Sequence, residues 1–417
     1  MSESSSRVRH LVPLIVVQGV GLVCGLIGVR WSSNVVSPEL LGSFGLLLGT
    51  QLFAVTVTHQ GLLKHVQRYW TRHTRATPYL LHLAGASGIP TLATAMGLGV
   101  LLLGFRWTEG RLATPFWWGW MLLVNLLVVL AHGAHAALQA EERYWAHCFV
   151  SAIGSLTRSF LPLLMVMSAG ASLAALSGGY LLHVMLWVGA GYWCLRASWQ
   201  RPAVPQTEDV DPPARLVGAF MGVGLCGWLA GTSPRWFAAL AVNAENTGYF
   251  MLALNLSMII STAVSLIGQS YSLPVLFAAR RAGAEVKMLL RLSHRDALVA
   301  LVVGQAGLLI LACISPWFVG TLVNPRYTPS LSWLLAAGGA TLASVSSAFY
   351  CNLLLAVNRE KACLILTLAS AALRLGLMAA LAWSGNVEAF RFGLAILAWP
   401  TVLLEYVLTR ELLLRPR

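Results

Sequence analysis

The sequence predicts an all-α polytopic membrane protein, with about twelve transmembrane helices in two six-helix lobes related by a parallel pseudo-twofold. Three observations predict it. Of 417 residues, 57% are hydrophobic and only 10% charged, whereas soluble domains average about 25% charged; mean hydropathy is +0.72. Apolar runs near the roughly 20 residues that a bilayer-crossing helix needs recur along the whole chain. Basic residues gather in the short segments between those runs, alternately rich and poor.

The runs follow in order. A polar, basic start, Met1–His10, precedes Leu11–Val29. That run has the length of a span and no convincing small-residue cleavage site, so it reads as the first helix rather than a removable signal. Leu41–Leu63 and Tyr79–Phe105 come next. Phe116–Leu138 opens with Phe116, Trp117, Trp118 and Trp120, which suit an interfacial aromatic belt. Ala146–Ser168 and Ala171–Leu195 complete the first half. The second half reads Leu216–Pro234, Gly248–Tyr271, Leu298–Val319, Leu331–Val357, Ala362–Trp383 and Ala389–Leu408. Pro90, Pro162 and Pro400 fall inside runs, where neighbouring helices can satisfy the freed carbonyls.

Basic residues test the count. With a cytoplasmic N-terminus, 20 Lys and Arg fall on inside segments and 6 on outside segments. Such a bias fits the positive-inside rule, and a miscounted helix would scramble it. Both termini are therefore expected in the cytoplasm, in a bacterial inner membrane. The net charge of +13 is explained by this topology, without nucleic acid as a partner. Seven cysteines lie in or beside apolar runs without CxxC spacing, as small buried residues would.

A Pro-rich, acidic stretch at the midpoint, residues 200–215, reads as a cytoplasmic linker between lobes 1–199 and 216–417. The halves echo each other. Pro38-Glu39-Leu40-Leu41-Gly42-Ser43-Phe44-Gly45-Leu46 resembles Ala244-Glu245-Asn246-Thr247-Gly248-Tyr249-Phe250-Met251-Leu252, with Arg30 and Arg235 ahead of them. Leu138–Cys148 parallels Leu355–Cys363, and Arg158 of the fifth run matches Arg374 of the eleventh. Six spans per half give both halves one orientation, as in two-lobed transporters with parallel repeats.

Charges inside lipid cost from about 3 kcal/mol upward and persist only against a bundle interior or water. Arg158 and Arg374 are therefore the leading candidate site residues. Guanidinium groups bind phosphate and carboxylate through paired hydrogen bonds. Arg30 and Arg235, near the outer ends of the first helix of each lobe, would add to a positive potential. The carboxylates fall nearly all in loops. Glu405 is the exception, expected near the cytoplasmic end of the last span, so no carboxylate is expected deep in the bundle. Among polar residues inside spans (Gln18, Gln51, Asn125, Asn255, Gln269, Gln305, Asn352), each is a candidate for sugar binding or for bonds between helices. His132 and His135, three apart, are a candidate metal pair without a third ligand. No GxxxxGK[ST], HExxH or GxSxG pattern occurs, which argues against an enzyme, and no cofactor is implied.

Gly28–Trp70, with Arg30 and the Pro38-Glu39-Leu40-Leu41-Gly42 turn, resembles the opening of bacterial polysaccharide flippases. So does Ser233–Gly283, with Arg235, Gly248-Tyr249 and Pro274 leading into a basic loop. Leu322–Gly338 and Leu353–Ala362 are similar to the outer loop before the tenth helix and the turn after it. The resemblance covers most of the chain. It implies the multidrug/oligosaccharidyl-lipid/polysaccharide exporter superfamily: two lobes, a central cavity, alternating access and no ATPase. The implied substrate is an undecaprenyl-pyrophosphate-linked oligosaccharide moved to the outer leaflet, with Arg30, Arg158, Arg235, Arg374 and Asn255 binding it. The lipid-linked anionic oligosaccharide, the lipid bilayer, and a polysaccharide polymerase with its chain-length machinery are the expected partners. Lipid II flippases of the superfamily usually carry two further C-terminal helices, which are not expected here. Two alternatives remain: a cation-coupled multidrug exporter of the same fold, or a non-catalytic membrane subunit of envelope polysaccharide assembly.

Overall fold

The computed structural model describes residues 3–70, 83–108, 110–141, 143–196, 213–242, 244–357 and 359–414. The expected linker lies outside them up to residue 212, as do Arg72, Arg75, Arg201, Arg415 and Arg417. The described residues are helical throughout, with no strand. In hydrocarbon each backbone N–H must find its partner within the protein, and a helix supplies it.

Fourteen α-helices occur among the described elements. They are α1 (Glu3–Val35), α2 (Pro38–Thr50), α3 (Gln60–Tyr69), α4 (Gly88–Thr108), α5 (Pro115–Ala140), α6 (Tyr144–Ala169) and α7 (Leu173–Leu195), then α8 (Pro213–Ala241), α9 (Ala244–Arg281), α10 (Val286–Leu322), α11 (Leu334–Ala356), α12 (Glu360–Trp383), α13 (Val387–Ile396) and α14 (Ala398–Leu414). Local chemistry sets several boundaries. Ser172 caps α7 by accepting from the Ala175 N–H, and Asn386 caps α13 by accepting from those of Glu388 and Ala389. Gly170 and Gly385, at φ 89° and 64°, follow α6 and α12 in a conformation that side-chain-bearing residues avoid.

Nine helical segments among the described residues are long and apolar enough to cross a membrane, or ten if the bent pair α13–α14 is one span. The first and seventh expected spans lie on α1 and α8, some of whose side chains fall outside the description. The chain is an all-helical, multi-pass membrane protein.

Two expected spans are not continuous. Leu41–Leu63 divides into α2, a π-helical turn at Ala54–Thr58, and α3. Asn125 of α5 repairs that break: its Oδ1 accepts from the Ala54 N–H at 3.0 Å, and its Nδ2 donates to the Met121 carbonyl at 2.9 Å. Asn125 thus serves helix packing. Ala389–Leu408 divides at Leu397 into α13 and α14, which bend by 43°. Gln305 of α10 donates to the Ala395 carbonyl beside that bend, at 3.3 Å. Pro90 sits in the first turn of α4 rather than kinking its middle, whereas Pro162 does lie inside α6.

The aromatic start of α5 is not a simple belt. Phe116 is exposed, but Trp117 and Trp120 are buried. Indole N–H groups of Trp118 and Trp120 donate to the carbonyls of Ala95 and Ser177, tying α5 to α4 and α7. One cysteine, Cys313, is exposed and Cys351 is half-buried, while the other five are buried as expected.

The chain separates into two compact units, residues 1–36 with 46–225, and residues 37–45 with 226–417. In the first, α1 packs on α6 through Gly21 and Gly28 against Ser155 and Ser159. There α6 and α7 approach so closely that a Cβ on Gly179 would lie 2.5 Å from the Leu161 carbonyl oxygen. In the second unit, the start of α2 lies against α9, and a Cβ on Gly248 would overlap the Pro38 carbonyl. The two segments that match in sequence are therefore in contact with each other.

Candidate functional site

In the second unit a charged cluster forms where α11, α12 and α14 meet. Arg374, near the middle of α12, is only 2% exposed, and Glu405, at the middle of α14, is 0% exposed. Arg374 donates from Nε to the Ser370 carbonyl at 3.3 Å, from one terminal nitrogen to Ser344 Oγ at 3.0 Å, and from the other to Ser347 Oγ at 3.0 Å. Glu405 accepts from Ser346 at 3.0 Å, from Ser370 at 2.9 Å, and from Ser347. Ser347 thus joins the two charges, accepting from the guanidinium and donating to the carboxylate. The hydroxyls come from the Ser344-Val345-Ser346-Ser347 run on α11 and from Ser370, one turn before Arg374 on α12. A polar track continues along the same contact, with Cys351 Sγ 3.5 Å from Thr367 Oγ1.

This overturns the expectation that no carboxylate lies deep in the bundle. Glu405 is near a helix end only if residues 389–408 form one helix; the bend at Leu397 begins a new helix, and Glu405 falls at its centre. Charges of opposite sign can share such a site because each offsets part of the other's desolvation.

The first unit is built differently around Arg158. That residue is exposed on α6 and acts electrostatically on Tyr180 and His183 of α7. Beside it runs a ladder of rings, buried at His183 and half-buried at Trp187, His135 and His147. Thr157 Oγ1 lies 2.7 Å from His183 Nδ1. The His183 ring stacks on Trp187 with centroids 5.9 Å apart. Trp187 donates to His135 Nε2 at 3.0 Å, and the rings of His135 and His147 meet edge to face at 4.6 Å. Gln139 reaches His147 at 3.1 Å. Sequence reasoning saw His132 and His135 only as a metal pair. No group of three His, Cys, Asp or Glu able to hold a metal occurs among the described residues, and His135 is committed to Trp187.

The remaining candidates are placed as follows. Arg30 is exposed on α1, between Gly28, which meets Ser159, and Trp31, whose ring lies 5.8 Å from Phe160. Arg30 and Arg158 therefore flank one helix contact. Arg235 is half-buried on α8, two residues from Ser233, whose hydroxyl lies 3.9 Å from Met378 Sδ, one turn beyond Arg374. Asn255 is exposed on α9. Each unit thus holds one pair of the predicted arginines on two packed helices; sequence reasoning missed the serines that surround one of them and placed its carboxylate, Glu405, too near a helix end.

No protein-family model matches the sequence, and no curated protein sequence matches it. Solved structures do resemble the fold over nearly its whole length. One is an inward-facing multidrug resistance MATE family transporter of the MOP superfamily, with a TM-score of 0.67 at 14% identity, covering 97% of this chain and 98% of that one. Another is the lipid II flippase MurJ in an inward closed conformation, with a TM-score of 0.68 at 10% identity, covering 96% and 86%. A third is a MOP-superfamily transporter from Pyrococcus furiosus, with a TM-score of 0.58 at 14% identity, covering 97% and 94%; for it, a binding pocket of reverse polarity suggests a different function.

Proposed function

We propose that this chain, which has the fold of MOP-superfamily transporters, flips an undecaprenyl-pyrophosphate-linked oligosaccharide from the cytoplasmic to the outer leaflet by alternating access. The product would feed surface polysaccharide synthesis. The reading takes the two halves, 1–199 and 216–417, as lobes in an inner membrane with both termini cytoplasmic. The observation that carries it is the cation in the middle of a membrane helix in each half. Arg158 has no carboxylate partner among the described residues, and a guanidinium in a low-dielectric setting binds phosphate strongly through paired N–H groups. Arg374 is neutralised by Glu405 through Ser347. In this reading a pyrophosphate competes with Glu405 for Arg374 during the cycle, while Arg158, Arg30 and Arg235 attract it and Asn255 hydrogen-bonds the glycan.

Vesicles carrying the purified protein and a fluorescent polyprenyl-pyrophosphate oligosaccharide test this. Wild type should move the tag across the bilayer, read as loss of protection from an impermeant quencher. Arg158→Ala and Arg374→Ala should insert but fail to move it. Full movement by the double variant would defeat the reading.

A second reading, a cation-coupled multidrug exporter, is favoured by the buried carboxylate of Glu405. In the same vesicles, movement of a cationic dye down a Na⁺ or H⁺ gradient, with the glycan lipid left in place, would replace the first reading by the second.

A further inference from the structure

Where α6 begins and α7 ends, the first unit forms a pocket of about 470 Å³ lined by Arg143, Ala146, Phe149, Trp193, Cys194 and Arg196. Its two cations are held in different ways. Arg143 donates to the Cys194 carbonyl at 2.8 Å and lies 3.5 Å from the Glu141 carboxylate. Glu141 is itself buried and accepts from the Trp70 indole at 2.6 Å. The fold thus fixes Arg143 at the rim while leaving its side chain 39% exposed. Arg196 lies over the face of Trp193, 4.7 Å from the ring centroid, a cation–π contact that orients its guanidinium without using its N–H donors. Phe149 and Trp193 form the apolar wall, with ring centroids 6.2 Å apart, and both are exposed, as is Trp145 nearby.

We infer that this pocket is a binding site for an anionic glycerophospholipid, with the headgroup phosphate between Arg143 and Arg196 and the glycerol and first acyl segments along Phe149 and Trp193. The charge argues for this occupant: two guanidinium groups and no carboxylate line the pocket among the described residues. Its place argues for a lipid rather than a soluble anion. It lies at the ends of two apolar spans, Tyr144–Ala169 and Leu173–Leu195, where exposed aromatics mark the headgroup level. Basic pockets between helix ends are a recurrent way to hold acidic headgroups. The site does not depend on what the protein transports.

The test uses the full chain, stripped of lipid in detergent, and counts bound lipid by native mass spectrometry with thermal unfolding as a second readout. Added back, phosphatidylglycerol should bind as a discrete adduct and raise the unfolding temperature, and phosphatidylcholine should do neither. Arg196→Gln should weaken phosphatidylglycerol binding about fivefold, the expected worth of one arginine near a membrane surface. Arg143→Gln, which also removes a structural hydrogen bond, is the harsher variant, so Arg196→Gln is the decisive one. Arg295→Gln, an exposed arginine paired with Asp296 elsewhere, should leave binding unchanged. Equal retention of both lipids, an unchanged Arg196→Gln, or an equal loss in Arg295→Gln would overturn the site. So would the same stabilisation from soluble glycerophosphate alone, since the occupant would then be a free phosphate.

Discussion

The two units place an arginine at matching positions, Arg158 on α6 and Arg374 on α12, and treat it in opposite ways. Arg374 is enclosed, its guanidinium held by two serine hydroxyls and a carbonyl, with Glu405 one hydroxyl away. Arg158 is exposed, and beside it imidazole and indole rings are linked by stacking, an edge-to-face contact and a hydrogen bond. Each unit sets one cation in mid-helix, and the neighbouring helices decide whether that cation is available. Availability matters for a transporter, because a group already satisfied by its own protein must release a partner before it can take a ligand.

Five variants would break or sharpen that contrast, all read first as thermal unfolding of purified protein. Arg374→Ala should have the largest effect, about 3–5 kcal/mol, since it leaves Glu405 as an uncompensated buried charge. Replacing both, as Arg374→Met with Glu405→Gln, should recover much of that loss. A single variant as stable as wild type would mean the pair is not coupled. Gly179→Ala should cost about 1–3 kcal/mol by overpacking the backbone contact of α6 with α7. Trp187→Phe removes one interhelical hydrogen bond of the ring ladder and should cost about 0.6 kcal/mol; a loss as large as that of Arg374→Ala would show the ladder to be as tightly coupled as the ion pair. Arg158→Ala should change stability least, within about 0.5 kcal/mol, as for an exposed side chain, while stopping glycan movement in vesicles. A large destabilisation there would erase the distinction between the two arginines.

Much of this architecture was legible in the chain because the bilayer writes it in long stretches. The all-helical, multi-pass architecture and the presence of charges inside apolar runs follow from the runs themselves and from the cost of charge in lipid; of the twelve expected spans, nine or ten are long and apolar enough to cross among the described residues. The breaks were not legible. At Ala54 and at Leu397 the chain stays apolar, and the missing backbone bonds are supplied by Asn125 and Gln305 from distant helices. Glu405 was misplaced for that reason.

The serines were illegible for another reason. Most hydroxyls in these helices bond back to their own carbonyls, as Ser257 and Ser315 do, and nothing local distinguishes them from Ser344 and Ser370, which turn to the charges. The histidines were seen, but their ladder runs through Trp187, which no ligand spacing would flag.

The four hydroxyls around Arg374 and Glu405 amount to a hydration shell tethered to the backbone. Solvent molecules could leave when surrounding lipid thickens or dries, taking their stabilisation with them. Serines cannot, so this pair carries a fixed measure of solvation into the membrane, indifferent to the lipid outside.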